Sequence, residues 1–270
     1  MRQMFSIIVP ALLVLICFQH SDARVLNNTI SADHLEVAQK ETTDSKITLE
    51  GILERHYEAK GGKEAWDSVN TLKFTGNMYA KEATFKTAAV YKRPDMCRLD
   101  FQAGRLYFME SYNGEIAWQM NPADNKGPQI LKGKRAKEMV DTCDFEGPLV
   151  DHKKKGHKIK YLGEKESDGR SAYVLQVTLE TGNIDTYYLD TKTYLPFMVK
   201  GSTTLQDQTV NTTVKVGEYI ETGDIVIPFS YEFIVDGSSS PETLKITTIE
   251  LNKDMDDNIF GLPKRPQDLR

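Results

Sequence analysis

Twelve short segments of alternating apolar and polar residues, joined by turn residues, leave this chain few folds to choose from. They run from about Thr71 to Asn121 and again from His157 to Leu251. Tyr173, Leu175, Val177 and Leu179 alternate with polar partners, as do Ile227, Phe229, Tyr231, Phe233 and Val235. In the first run Cys97, Leu99 and Phe101 share one face, with Arg98 and Asp100 opposite. A period of two means strands buried on one side only. Asn113-Gly114, Asp168-Gly169, Thr222-Gly223-Asp224 and Asp236-Gly237 mark tight turns, so consecutive strands are antiparallel neighbours in a meander. A sheet of about a dozen strands must curl, close or split into two packed sheets.

Three other segments decide among these outcomes. Ile47 to Lys60 reads as the one long helix, with Asp44 or Ser45 as cap. Leu49, Ile52, Leu53, His56 and Tyr57 fall on a common face, and Gly61-Gly62 end the helix. A helical turn carrying Trp66 follows. Between the strand runs lies a Pro- and Gly-punctuated stretch, Asn121 to Val150, with a short helical reading over Lys134 to Asp141. A connection of that length in a β-rich chain is a lid, a binding loop or disorder. The expectation is that it closes over an apolar face to which Trp118 contributes, together with Ile116 and Met120 on the same strand face. Two sandwiched sheets would bury each other without such a stretch. The long connection therefore favours a curled, partly open barrel whose mouth holds an apolar ligand.

The ends are simpler. Arg2, the apolar run Met4 to Phe18 and small residues up to Ala23 read as a signal peptide, residues 1–23, cleaved after Ala23. Residues 24–45 read as a flexible extension, 46–263 as the folded domain and 264–270 as a frayed tail, with Ile259 and Phe260 docking on the sheet. An exported, periplasmic protein lives in an oxidising space, where Cys97 and Cys143 either pair or stay as free thiols. The net charge of −5 is mixed in sign and points away from nucleic acid. No Gly-x-Ser-x-Gly elbow, His-Glu-x-x-His helix or phosphate loop is present. No catalytic residue, metal site or cofactor is therefore expected, and a hydrolase is the least favoured class. His56 reads as a histidine at the core edge. His152 and His157 flank Lys153-Lys154-Lys155 and read as a solvated charge run.

Several words in this order resemble the LolA-like lipoprotein-sorting proteins: Ile47 to Tyr57, Gly61 to Trp66, Val69 to Gly76, Tyr112 to Pro122, Asp144 to Asp151 and Tyr187 to Pro196. The resemblance spans Ile47 to Pro263 and is closest to the exported, uncharacterised branch. It implies a mainly β fold, an unclosed antiparallel β-barrel of about 11–12 strands, with an N-terminal helix and a mid-chain helical lid. It further implies a monomeric carrier for lipid or acylated lipoprotein, with an outer-membrane acceptor or another envelope protein as a further partner. An arginine on an early strand holds the lid in that family; Arg93 and Arg98 both qualify by position. On this reading Phe74, Phe85, Leu99, Phe101, Tyr107, Trp118, Leu175 and Phe233 line the cavity, and Met139 and Val140 belong to the lid. The alternative is an envelope sensor or scaffold that binds a protein partner around His152 to His157.

Overall fold

The computed structural model describes residues 47–81, 83–121, 127–205 and 208–263. The expected signal peptide, N-terminal extension and frayed tail, and the cap candidates Asp44 and Ser45, lie outside the described residues.

Thirteen strands form one antiparallel sheet in the order β6-β5-β4-β3-β2-β1-β13-β12-β11-β10-β9-β8-β7. The first meander is β1 (Thr71–Tyr79), β2 (Thr84–Lys92), β3 (Met96–Ala103), β4 (Leu106–Tyr112), β5 (Ala117–Met120) and the two-residue β6 (Gln129–Ile130). The second is β7 (Lys158–Ser167), β8 (Arg170–Thr178), β9 (Ile184–Asp190), β10 (Pro196–Leu205), β11 (Gln208–Thr222), β12 (Ile225–Val235) and β13 (Glu242–Leu251). The single meander expected from the turns is thus two, joined where the first strand pairs with the last. β6 and β7 are the free edges, so the barrel is unclosed, as expected. At the join the β1–β13 register shifts at Thr75/Gly76. A Cβ on Gly76 would sit 2.3 Å from the Lys245 carbonyl oxygen, so only glycine permits this approach. Such an irregularity sharpens the local twist of a sheet.

This topology explains the long middle segment. The chain leaves β6 at one edge and must reach β7 at the other. It crosses the inner face as α3 (Gly133–Thr142), then a strap, Asp144 to Val150, then a turn. Two more helices cover that face: α1 (Leu49–Ala59) and α2 (Gly62–Asp67). Thr48 caps α1, its Oγ1 accepting from the Gly51 amide at 3.1 Å. At the other end the Lys60 carbonyl accepts from the Val226 amide at 2.9 Å and from Trp66 Nε1 at 2.8 Å. Gly61 makes this docking possible: its φ is +108°, and a Cβ there would meet Asp224 O at 2.1 Å.

On the inner face two apolar cores result. Under α2 and α3, Phe85, Leu99, Phe101, Phe108 and Met139 pack over β2–β4. Under α1, Ile52 packs with Leu149, Leu175, Val177 and Leu189 over β8 and β9. Each such side chain, fully buried, stabilises the fold by about 1.5–3 kcal/mol. Cys97 on β3 and Cys143 at the end of α3 form a disulfide across 46 residues of chain, so of the two readings pairing holds.

The hairpin at Asn113-Gly114 forms, but with a longer turn than alternation implied. Asn113 Oδ1 accepts from the amides of Glu115 and Ile116, which holds both out of the strand. Ile116 is therefore an exposed turn residue rather than a member of the Trp118 face. Trp118 itself points away from the helices. It pairs with Ser111, on the opposite face from Cys97 and Leu99. Its Nε1 donates to the Phe260 carbonyl at 2.9 Å, as does Ser111 Oγ at 3.0 Å. The expected docking of the tail thus occurs on the outer face, where Phe260 is fully buried.

Candidate functional site

Between the two cores the inner face is not filled. A cavity of about 120 Å³, partly open to solvent, lies over the central strands. Its floor includes Leu72 and Phe74 of β1, Tyr91 of β2, Val214 of β11, and Ile227 and Tyr231 of β12. Tyr187 of β9 and Tyr219 of β11 complete the aromatic wall. The roof is α1, through His56 and Lys60, with Trp66 of α2 and strap residues Phe145 to Leu149. The walls are overwhelmingly apolar, so they offer contact without direction.

The polar groups are gathered on the roof side. His56 is buried, and its Nδ1 donates to the Tyr194 carbonyl at 2.9 Å. Burial, reinforced by the nearby Lys60 charge, lowers its pKa to about 3, so the imidazole is neutral. Lys60 Nζ donates to the Glu146 carbonyl and lies 4.4 Å from the Trp66 ring centroid. Burial outweighs the attraction of Asp144 and Glu146 and lowers its pKa to about 8. Tyr219 donates its hydroxyl to the Pro196 carbonyl at 2.6 Å. Burial raises the pKa values of Tyr91, Tyr187, Tyr219 and Tyr231, so these phenols stay protonated.

The strap is held by charge. Arg93, just past the end of β2, donates to the carbonyls of Val69 (2.8 Å) and Trp66 (2.9 Å) and to Glu146 Oε1 (2.7 Å). Its guanidinium also sits 4.9 Å from the centre of the Phe145 ring. Lys155 reaches back to Asp144 at 2.7 Å and to the Gly147 carbonyl at 3.1 Å, with Glu146 Oε2 at 3.9 Å. Of the two arginines singled out by position, Arg93 touches the strap. Arg98 lies on the outer face, bound to Asp100 and the Ile259 carbonyl.

Of the eight residues expected to line the cavity, Phe74 does so. Phe85, Leu99 and Phe101 fill the core beneath α3, each 1 % exposed, and do not line the cavity. Leu175 lies in the core under α1, and Phe233 packs against both cores, stacked on Tyr231. Trp118 and Tyr107 are on the opposite face; Tyr107 pairs with Gln102 and contacts the Arg98–Asp100 pair. Met139 is buried in the α3 core and Val140 is half-buried; neither lines the cavity. His56, Lys60, Trp66, Tyr91, Phe145 and Tyr187 were missed as lining residues. They come from five separate elements, so no local pattern joins them. Only the strap phrase Asp144 to Asp151 stood out in the sequence. The Lys153–Lys155 run is also less solvated than expected: Lys155 folds onto the strap, and His157 is buried, its Nδ1 accepting from the Glu180 amide at 3.1 Å.

An open antiparallel sheet, with helices and a strap on one face and an apolar cavity beneath them, defines a fold class: an unclosed β-barrel with a covered inner face. Similar folds are known. A putative outer membrane lipoprotein-sorting protein domain from Vibrio parahaemolyticus aligns with a TM-score of 0.56 at 14% identity, covering 83% of this chain and 100% of its own. A LolA superfamily protein from Nitrosomonas europaea aligns at 0.54 and 15% identity, covering 80% of this chain and 98% of its own. A DUF1329 family protein from Desulfovibrio piger aligns at 0.55 and 11% identity, covering 79% and 97%. No protein-family model and no curated protein matches the sequence. The chain has the LolA-like fold that its sequence resembles.

Proposed function

We propose that the protein is a carrier in the bacterial periplasm that takes lipid, or the acyl chains of a lipoprotein, into this cavity. One observation carries the reading: an apolar hollow at the centre of the sheet, roofed by a strap whose acids Asp144 and Glu146 are held by ion pairs and whose Leu149 packs under α1. Each methylene transferred from water into such a site gains about 0.8 kcal/mol. Contact of this kind is non-directional, so a cargo could be passed to an acceptor offering more of it. The step needs no covalent chemistry and no cofactor. No helix among the described residues is long and apolar enough to cross a membrane.

The cavity is small. A hollow of about 150 Å³ holds a molecule of benzene, so the hollow here receives a short stretch of one acyl chain. Uptake of a longer chain requires the strap to lift. Arg93 then plays the part that the family resemblance assigns to an early-strand arginine, holding the roof shut between loads.

Two measurements test the reading. Native mass spectrometry of protein purified from its own envelope should show a bound acyl species. Filling the hollow with Val214→Phe should cut the affinity of the delipidated protein for dodecanoate by about tenfold or more, with the melting temperature little changed. An empty protein that binds no amphiphile, but captures an envelope protein, would replace the carrier by the scaffold reading.

A further inference from the structure

We propose that the strap is a built-in substitute for cargo, and that the site selects amphiphiles with an anionic headgroup. This rests on the carrier reading and adds a ligand class to it. Phe145 and Glu146 are adjacent residues doing two different jobs. The Phe145 ring lies against the cavity wall, 6.2 Å from Trp66 and 6.0 Å from Tyr91, centre to centre. The Glu146 carboxylate turns to cations that do not line the hollow, Oε1 on Arg93 and Oε2 facing Lys155. An apolar group in the cavity beside a carboxylate on a cluster of cations is the layout of a bound fatty acid.

The cations do not all leave with the strap. Lys155 is tied to Asp144 and the Gly147 carbonyl, so it travels with the segment it binds. Arg93 is fixed independently, by the Val69 and Trp66 carbonyls, and Lys60 stands over the Trp66 ring. When the strap lifts, two half-buried cations stay at the mouth of an apolar hollow with Glu146 gone. Leaving them without a counter-charge is costly. An uncharged amphiphile leaves that cost unmet. A carboxylate or phosphate headgroup meets it in place of Glu146, with charge-assisted hydrogen bonds from a fixed guanidinium.

The test titrates the delipidated protein with dodecanoate, dodecyl phosphate, dodecanol and dodecyltrimethylammonium, read by calorimetry. The expected result is that one or both anionic probes bind at least about tenfold tighter than dodecanol, and the cationic probe weakest. Which anion binds tighter separates a free fatty acid from a phosphate-headed lipid as the source. Glu146→Gln, which weakens the internal competitor, should tighten dodecanoate binding several-fold. Arg93→Gln should erase most of the gap between dodecanoate and dodecanol, and Lys60→Met tests the same point should Arg93→Gln fail to fold. Equal affinities for dodecanoate and dodecanol, or variants that weaken both probes alike, would overturn the headgroup preference while leaving the carrier intact. Binding of none of the four would remove both.

Discussion

The connection between the two sheet edges covers the inner face twice, by different means. Its first half, α3, is an anchor: Met139 is fully buried among Phe85, Phe108 and Leu99, and Cys143 is bonded to β3. Its second half, the strap, has Asp144 and Glu146 held by Arg93, Lys60 and Lys155, over a hollow. Apolar packing with a covalent bridge resists opening; a half-buried ion pair can be exchanged for another partner. One continuous segment thus meets the sheet in two ways, and the carrier reading asks the second half to move while the first stays.

The largest expected effect lies in the anchor. A cross-link closing a 46-residue loop stabilises a fold by about 4 kcal/mol through the entropy of the unfolded chain, and by less where the native geometry is strained. Replacing Cys97 and Cys143 together by Ser should lower stability in denaturant titrations by about 2–4 kcal/mol. A loss below about 0.5 kcal/mol would mean that packing alone anchors α3. Next comes the strap. Arg93→Ala should cost about 1–2 kcal/mol, with hydrogen exchange rising at the amides of Gly147 and Val150 and unchanged at Cys143. Faster exchange at all three would abolish the distinction between the halves.

The smallest effect is a difference in pH response. His56, on the strap side, has a folded pKa of about 3 against an ordinary value near 6.5. The unfolded chain therefore binds the extra proton between those values, and stability falls as pH drops through that window. Asp185 faces Asp141 of α3 on the anchor side, and burial raises its pKa well above the ordinary carboxylate range. There the folded state holds the proton, and stability falls as pH rises above about 4. Acidifying from neutral towards pH 5 should loosen α1 and the strap relative to α3 and β9, read as protection factors corrected for intrinsic exchange. His56→Gln should flatten the strap-side response and leave the other.

The same contrast marks how far the sequence could be read. Alternation revealed the strands, and with Cys97, Leu99 and Phe101 it grouped residues correctly into faces. It does not say which face the helices will cover. On β4 and β5 that ambiguity placed Tyr107 and Trp118 inside, whereas the tail residue Phe260 covers the Trp118 face from outside. Nor does a local pattern show that β1 pairs with β13, the contact that sets the cavity at the centre of the sheet. The aromatic wall, from Tyr91 to Tyr231, exists only once that long-range pairing is made. The strap was legible as an oddity, because Pro and Gly interrupt it and two acids flank an aromatic residue. Of its partners only Arg93 was, beside Arg98 and through the family resemblance alone; Lys60 and Lys155 are ordinary surface cations until the fold gathers them.

The pairing of first strand with last also governs assembly. While the chain is being synthesised, β1 carries an unsatisfied hydrogen-bonding edge until β13 emerges, roughly 170 residues later. Contacts between such distant parts are closed late and slow folding, and an open edge invites pairing with other chains. Trimming the C-terminal strand would therefore not shave the margin of this protein; it would cut the sheet in two along its middle, through the floor of the cavity.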